Sequence, residues 1–462
     1  MSLYPDQLLA AKEFEHWLND TPLQTCGLWA SAGFGKSYSM KHMIDEVVLK
    51  DSNYIPVICS MTHSAVEVLS EFVGRDVSTL HSTMGWIPYV DKESGEEGLS
   101  TPRMRDRNAG PRLMNNHLLI VDEAGLMGHD ELRLLLEELS LTGARVLFVG
   151  DHKQCYPVIK EGQELCIPAY NYSEAKFELT EPKRTTEGDM IYKLALAYRA
   201  SVDGADQPKL QTALNPDKKT GVRVVDDLED IAVPAFKAGI RDGDVRKIKC
   251  LTFTNKRALT LNRKIRKRVM GIKSPIPTVG EEMVANTSIS ESAGENILIR
   301  NNEKLIVKQV EATTSHGLEG AFIQFEYAMP KIIDGIPTIC EVPEIVFVPA
   351  TPAKLLDRMK KLSNDAKAFK ANGFDEESRQ AWRAFFSLKE DCADIRFTYA
   401  MTINKAQGVT LKHALVDMND ISICQDNGQM SRCAYTAVTR ATHYVTIEGE
   451  LDQNVYFGGG CI

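Results

Sequence analysis

The stretch Ala30-Ser31-Ala32-Gly33-Phe34-Gly35-Lys36-Ser37 decides how the chain reads. An apolar run, Cys26 to Trp29, leads into it, and a stretch with helical spacing, Tyr38 to Leu49, leads out. Strand, glycine-bearing loop and helix in that order form a P-loop. Its glycines let successive backbone N–H groups turn toward phosphate oxygens, and the helix adds the positive end of its dipole. In such a loop Lys36 reaches the β/γ-phosphates of a nucleotide and Ser37 holds Mg²⁺, with Ala32, Gly33, Phe34, Gly35 and Tyr38 completing the cradle. The strict pattern asks for glycine where Ala30 stands, a departure that bears on loop geometry rather than on nucleotide binding. A short Gly-x-Gly-Lys-Ser run also occurs as a purely structural turn, so the rest of the chain has to decide.

At 462 residues the chain is too long for one ordinary core and is expected to form several domains. A hydrophobic share of 43% and a charged share of 25% are those of a globular protein. No apolar run reaches the ~20 residues that span a bilayer, and Met1 to Phe14 lacks a signal-like apolar core, so no membrane partner and a cytoplasmic location are expected. The ten cysteines show no metal-ligand spacing and read as reduced structural thiols. A net charge of −9 speaks against a non-specific polyanion binder, yet basic residues cluster from Lys256 to Arg268 and at Arg103, Arg105, Arg107 and Arg112. A nucleic-acid groove needs local rather than total positive charge. The Lys256–Arg268 cluster reads either as a solvated helix face or as a DNA track.

Short β-type runs each end in polar residues: Ile55 to Cys59 before Thr62-His63, Leu118 to Val121 before Asp122-Glu123, and Val146 to Val149 before Gly150-Asp151. Helical stretches separate them, which predicts a parallel α/β sheet with its ligands at the carboxyl ends of the strands. Met84 to Pro111 breaks the pattern and reads as an inserted hairpin or loop. A second α/β series follows, with Val222 to Val225, Ile248 to Phe253, Ala414 to Val416 and Val445 to Ile447 as strands. Inside it, Leu305 to Val310, Ala321 to Tyr327 and Glu344 to Val348 alternate like antiparallel strands of a small barrel. Residues 353–391 read as a helical pair broken at Asn372-Gly373, with Trp382, Phe385 and Phe386 on one packing face.

Chemistry collects at the strand ends. Asp122 is placed to hold Mg²⁺ and Glu123 to polarise an attacking water. In Gly150-Asp151-His152-Lys153-Gln154, the neutral amide of Gln154 suits contact with both γ-phosphate and water. Arg184 and Arg440 are candidate arginine fingers; either alone also reads as a surface ion-pair residue.

The order Gln7, GFGKS, Thr62-His63, Thr79-Leu80-His81-Ser82, DEAG, GDHKQ, EPKRT, Thr254-Asn255, Ile403-Asn404-Lys405-Ala406-Gln407-Gly408 and YTAVTR resembles a superfamily 1 helicase of the RecD-like branch. It is most similar to the phage Dda-type helicases. The resemblance runs from about residue 5 to 450 and is weakest between residues 281 and 390. It implies two RecA-like parallel-sheet domains with ATP between them: 1A over 1–83 and 112–190, and 2A over 191–280 and 395–462. It further implies an inserted pin hairpin, 1B, over 84–111, and an inserted SH3-like β-barrel with a helical extension, 2B, over 281–394. Gln7 falls on the adenine-reading position, and Gly408 joins the nucleotide set. Lys36, Glu123, Gln154, Arg184 and Arg440 carry the catalytic roles. Thr62, His63, His81, Thr254, Asn255, Thr402 and Lys405 fall in motifs that contact single-stranded DNA or couple it to ATP.

The activity so implied is ATP-dependent translocation on single-stranded DNA, 5′ to 3′ by the resemblance alone, with separation of duplex. The implied partners are single-stranded DNA, duplex junctions and single-strand-binding or replication proteins. Replication or recombination is the implied setting, and the motor is expected to be monomeric, acting in the host cytoplasm if phage-encoded. Trp86 and Tyr89 of the pin read either as wedge residues against the last base pair or as packing. Two other readings stand beside this one: a single-strand-stimulated ATPase that displaces proteins with little unwinding, and a non-motor P-loop nucleotide switch or kinase.

Overall fold

Leu118-Leu119-Ile120-Val121 lies at the middle of a six-stranded sheet in which every neighbouring pair is parallel. The order is Ser78–Thr79, Ile55–Ser60, His117–Asp122, Arg145–Gly150, Thr25–Ala30, Ala175–Leu179. Side chains alternate between the two faces of a strand, and here both faces are covered. Leu118 and Ile120 enter one core cluster with Phe14, Trp17 and Met40, while Leu119 and Val121 enter another with Trp86, Leu135 and Phe148. This double burial explains why the central strands read as unbroken apolar runs. The parallel arrangement brings Ala30, Ser60, Asp122 and Gly150 to one edge.

The computed structural model describes residues 3–91, 97–158, 162–182, 189–215, 220–290, 297–329, 331–333, 336–424 and 426–451. It forms two compact units, one of Met1–Tyr89, Gly98–Leu228 and Ile403–Ile462, the other of Val90–Glu97 and Glu229–Thr402. In the first unit a further set of strands runs Leu411–Asp417, Ala441–Glu448, Gly221–Val225 in parallel, edged by an antiparallel Ala213–Leu214. The helix leaving the P-loop spans Lys36–Asp51 and widens into π-helical spacing over Met43–Val48.

In the second unit Ile248–Thr252 pairs in parallel with Ala400–Thr402 beside the Asn255–Met270 helix. A five-stranded antiparallel sheet follows, ordered Val346–Pro349, Leu318–Tyr327, Lys304–Ser315, Glu282–Ala285, Ile395–Phe397. Leu305, Val307, Ile323 and Phe325 fill its core. Its longest hairpin turns through His316 and Gly317, both with positive φ (51° and 70°), the backbone a two-residue turn between twisted strands demands. A parallel bridge between Phe347 and Cys392, with Ala393 N–H donating to Phe347 O at 2.8 Å, curls the two edges toward each other. The expected helical pair is present as Pro352–Ala371 and Asp375–Asp391, broken where Gly373 takes φ 80°. Trp382 is buried, with the Phe385 and Phe386 rings 5.4 and 6.0 Å away, so that face packs. Among the described residues no helix is long and apolar enough to cross a membrane.

Candidate active site

The glycines of the P-loop do what their lack of a Cβ allows. Gly33 and Gly35 sit at φ 84° and 83°, where side-chain-bearing residues rarely go, and Gly35 opens the helix that begins at Lys36. Ala30 ends its strand buried and extended, so a methyl group fits there without strain. The Phe34 ring is buried in the sheet core, leaving its backbone to shape the loop. Lys36 Nζ donates to Ala30 O at 3.2 Å, folded back over the loop.

Around this loop lies a cavity of about 890 Å³. Gln7, Ala32, Gly33, Gly35, Lys36, Ser37 and Tyr38 line it, together with Asp122, Glu123, Gln154, Gly408 and Arg440. Residues far apart in sequence are thus gathered inside one unit. Gln7 is buried, its Oε1 accepting from Tyr4 N–H at 3.1 Å. Arg440 is buried at the end of its helix and donates to Thr436 O and Thr439 Oγ1, each at 3.2 Å. Leu3, Tyr4, Val68 and Phe72 give one wall of the cavity an apolar surface next to Gln7. Arg184 lies outside the described residues.

The two carboxylates after the central strand differ from ordinary helix-capping acids. Burial and the neighbouring Glu123 push the Asp122 carboxyl upward, opposed by Lys36. Glu123 takes φ 53° and ψ 36°, a left-handed backbone unusual for a non-glycine residue. Such conformations persist where the surroundings enforce them, and they cluster at functional sites.

At the end of the next strand, Asp151 is sealed from solvent and fully engaged. Its Oδ1 accepts from Arg199 Nη1 at 2.9 Å and from Lys153 N–H at 3.0 Å, and its Oδ2 accepts from Tyr435 OH at 2.6 Å. Burial alone would raise this carboxyl, but Lys36, Arg199 and the Tyr435 hydroxyl outweigh it and hold it below the usual range. Tyr435 OH in turn lies 3.4 Å from Ala32 N in the P-loop. The turn carrying Gln154 is tied to the Asn427–Val438 helix as well. Cys155 N–H donates to Thr436 Oγ1 at 2.9 Å, and Arg432 Nη1 donates to His152 O and Gln154 O. Sequence reading singled out Gln154 and Arg440 but missed Asp151, Arg199 and Tyr435. Tyr435 opens the YTAVTR run and so carried a signal. Arg199, in the last turn of the Met190–Val202 helix, carried none.

The described cysteines are free thiols, with Cys155 and Cys433 Sγ atoms 3.5 Å apart. Trp86 is 5% exposed and packs edge-on to His81 at 5.9 Å, whereas Tyr89 is 42% exposed. Arg105 braces the base of this hairpin, donating to Gly85 O and Ser100 O at 2.7 Å. Thr62 caps the His63–Val73 helix through Ala65 N–H, and His81 Nε2 is 3.7 Å from Glu131. Lys405 is half-buried in the first unit. Thr254, Asn255 and Thr402 belong to the second unit, where Thr402 is buried opposite Thr252 and Thr254 caps the Asn255–Met270 helix. Much of the basic run on that helix is already paired. Lys264 and Arg268 meet Glu229, and Arg266 is buried against Glu281.

A parallel sheet whose strand ends bring a glycine loop, a carboxylate pair and a buried arginine to one cavity defines a P-loop protein with a RecA-like core. Residues 4–212 match the model of an AAA domain family. The chain is 22% identical over 431 residues to the ATP-dependent DNA helicase dda of Enterobacteria phage T4, covering 90% of this chain and 92% of that one. A 132-residue stretch is 36% identical to the ATP-dependent RecD2 DNA helicase of Deinococcus radiodurans, covering 28% of this chain and 16% of that one. Among solved structures, one of two coordinating Pif1 helicases at forked double-stranded DNA aligns with a TM-score of 0.47 at 15% identity, covering 96% of this chain and 92% of that one. These likenesses set the chain beside superfamily 1 helicases of the Dda and RecD-like type.

Proposed function

We propose that this chain hydrolyses ATP and uses the free energy to unwind DNA. One observation carries the reading: Gln7, Lys36, Glu123, Gln154 and Arg440 converge on a single cavity in a chain that aligns nearly end to end with an ATP-dependent DNA helicase. In this reading the triphosphate rests on the backbone N–H groups from Gly33 to Lys36, and Lys36 swings from Ala30 O to the β/γ-phosphates. Ser37 and Asp122 suit Mg²⁺, being hard oxygen donors on one cavity, with a carboxylate that Glu123 crowds and a cation relieves. Bound there, the ion neutralises charge on the triphosphate. Glu123 accepts the proton of the attacking water and Gln154 orients that water. Arg440, with Arg184 as a second finger, stabilises the transferring phosphoryl group. Gln7 reads the base.

Thr62, His63, His81 and Lys405 in the first unit, and Thr254, Asn255 and Thr402 in the second, are assigned to the single strand, through phosphate contacts that position rather than specify. Residues 84–111 act as the pin. Since Trp86 is committed to packing, its neighbours Ile87 and Tyr89, both exposed, meet the duplex. The 1A and 2A division given above, a barrel-type 2B region and 5′ to 3′ movement complete the proposal. The deciding experiment unwinds one duplex bearing a 5′ tail against the same duplex bearing a 3′ tail. ATP-dependent separation of the 5′-tailed substrate alone, abolished in Lys36→Ala, is expected. ATP turnover that ignores DNA would sink the reading.

A further inference from the structure

Arg396 and Asp394, which no quoted motif contains, meet the start of the Asn255–Met270 helix. Arg396 is 7% exposed and grips Asp394 with two prongs, Nε to Oδ1 and Nη2 to Oδ2, each at 2.8 Å. Asp394 is buried too, and Asn286 Nδ2 donates to its Oδ2 at 2.7 Å. The remaining nitrogen of the guanidinium, Nη1, reaches Oδ1 of Asn255 at 2.8 Å. Asn255 itself is exposed, one residue after the helix cap at Thr254.

A guanidinium has only donors, so the amide atom that faces it has to be the oxygen. An exposed asparagine ordinarily swaps its two ends freely. Here that freedom is gone, and the Nδ2 side is turned away from Arg396. Asn255 is the first residue of a 16-residue helix, at the end where the dipole is positive. A donor pair set there suits an acceptor-only group.

We propose that Arg396, clamped by Asp394, is a positioning residue for Asn255: it locks the amide so that Nδ2 donates to a phosphate oxygen of the DNA strand. The proposal rests on the DNA-binding reading above. Arg396 contributes direction and not attraction, because its charge is already matched by Asp394 within the protein. This separates it from a basic residue that touches the strand. Loss of a phosphate-contacting cation flattens the salt dependence of binding by about one counterion, whereas loss of a positioning residue leaves the slope intact.

The test titrates the full chain into a fluorescent oligothymidine and follows anisotropy at several salt concentrations, for Asn255→Ala, Arg396→Gln and the double variant. Each single change is expected to weaken binding about 5- to 10-fold, the scale of one ordinary hydrogen bond at an exposed site. The double variant should be no more than about 2-fold worse than either, since coupled residues are not additive. The salt slope should match the wild type throughout. Asn255→Asp keeps the Arg396 contact but replaces the donor with a carboxylate oxygen. It should melt no lower than wild type and still bind about 10-fold more weakly, which keeps the question answerable if Arg396→Gln is poorly folded. Losses that multiply in the double variant, a flattened slope in Arg396→Gln, or undiminished binding by Asn255→Asp each overturn the proposal while leaving the helicase reading in place. Absence of single-strand binding by the wild type would instead overturn that reading, and this assignment with it.

Discussion

Two neighbouring strands of the same sheet each deliver an aspartate to the same edge, and the two carboxyls meet opposite fates. Asp122 is enclosed next to a second acid, Glu123, and its carboxyl is pushed upward. Asp151 is buried more deeply, yet three donors hold it ionised: Arg199, Tyr435 and Lys153 N–H. Burial therefore does not decide the charge state; the partners do. Asp151 is complete as it stands and works as an anchor between the Gln154 turn, the Met190–Val202 helix and the Asn427–Val438 helix. Asp122 is left electrostatically incomplete, which is what the Mg²⁺ role proposed for it requires.

The comparison can be broken at several points. The largest effect is expected at the acidic pair. Glu123→Gln removes the base and should lower DNA-stimulated ATP turnover by about 10²- to 10⁴-fold while a fluorescent ADP analogue still binds; near-normal turnover would assign the water to another residue. Next comes the anchor. Arg199→Met leaves the Asp151 charge buried without its cation and should cost ~3–5 kcal/mol in urea unfolding. Asp122→Asn should cost no stability at all, and equal losses from the two substitutions would erase the distinction. Tyr435→Phe deletes a single donor to the same carboxylate, for which ~1.5–3 kcal/mol is expected by the same measurement.

The smallest effect concerns pH. Burial, with Arg223 adding to it, holds His413 at about 4, and its Nε2 lies 2.8 Å from Thr446 Oγ1. The unfolded chain takes up that proton near pH 6.5, so the stability present above 6.5 is lost as pH falls toward 4. His413→Gln keeps a partner for Thr446 and should make the fall of the unfolding midpoint over that window shallower. His152, likewise held at about 4 by burial, titrates over the same window, so the substitution should reduce the loss there rather than abolish it. A profile unchanged by the substitution would place the titration elsewhere.

Much of this was legible in the residues. The strands His117–Asp122 and Arg145–Gly150, and the buried second half of Ile55–Ser60, read clearly because they are apolar, and the polar residues after them marked the edge at which the P-loop lies. The edge strand Ala175–Leu179 did not read as a strand. Its pattern, Ala-Lys-Phe-Glu-Leu, alternates polar and apolar because much of one face is open to solvent. Of the residues that line the cavity around the P-loop, those with a fixed spacing from a glycine or a strand end were legible. Arg199, Asp151 and Tyr435 escaped because their importance comes from meeting one another across the fold, which no local spacing records. Trp86 shows the converse: an aromatic in the right stretch whose burial the sequence could not disclose.

The left-handed backbone of Glu123 has a consequence for how this chain tolerates change. That conformation costs a residue with a Cβ about 1–2 kcal/mol, a cost glycine escapes. A glycine there would relax the turn and surrender the carboxylate, so the substitution most comfortable for the backbone is the one that removes the base proposed for ATP hydrolysis. Screens that select variants for heat resistance alone would be drawn to this position, and copies of the sequence released from their task should accumulate glycine there.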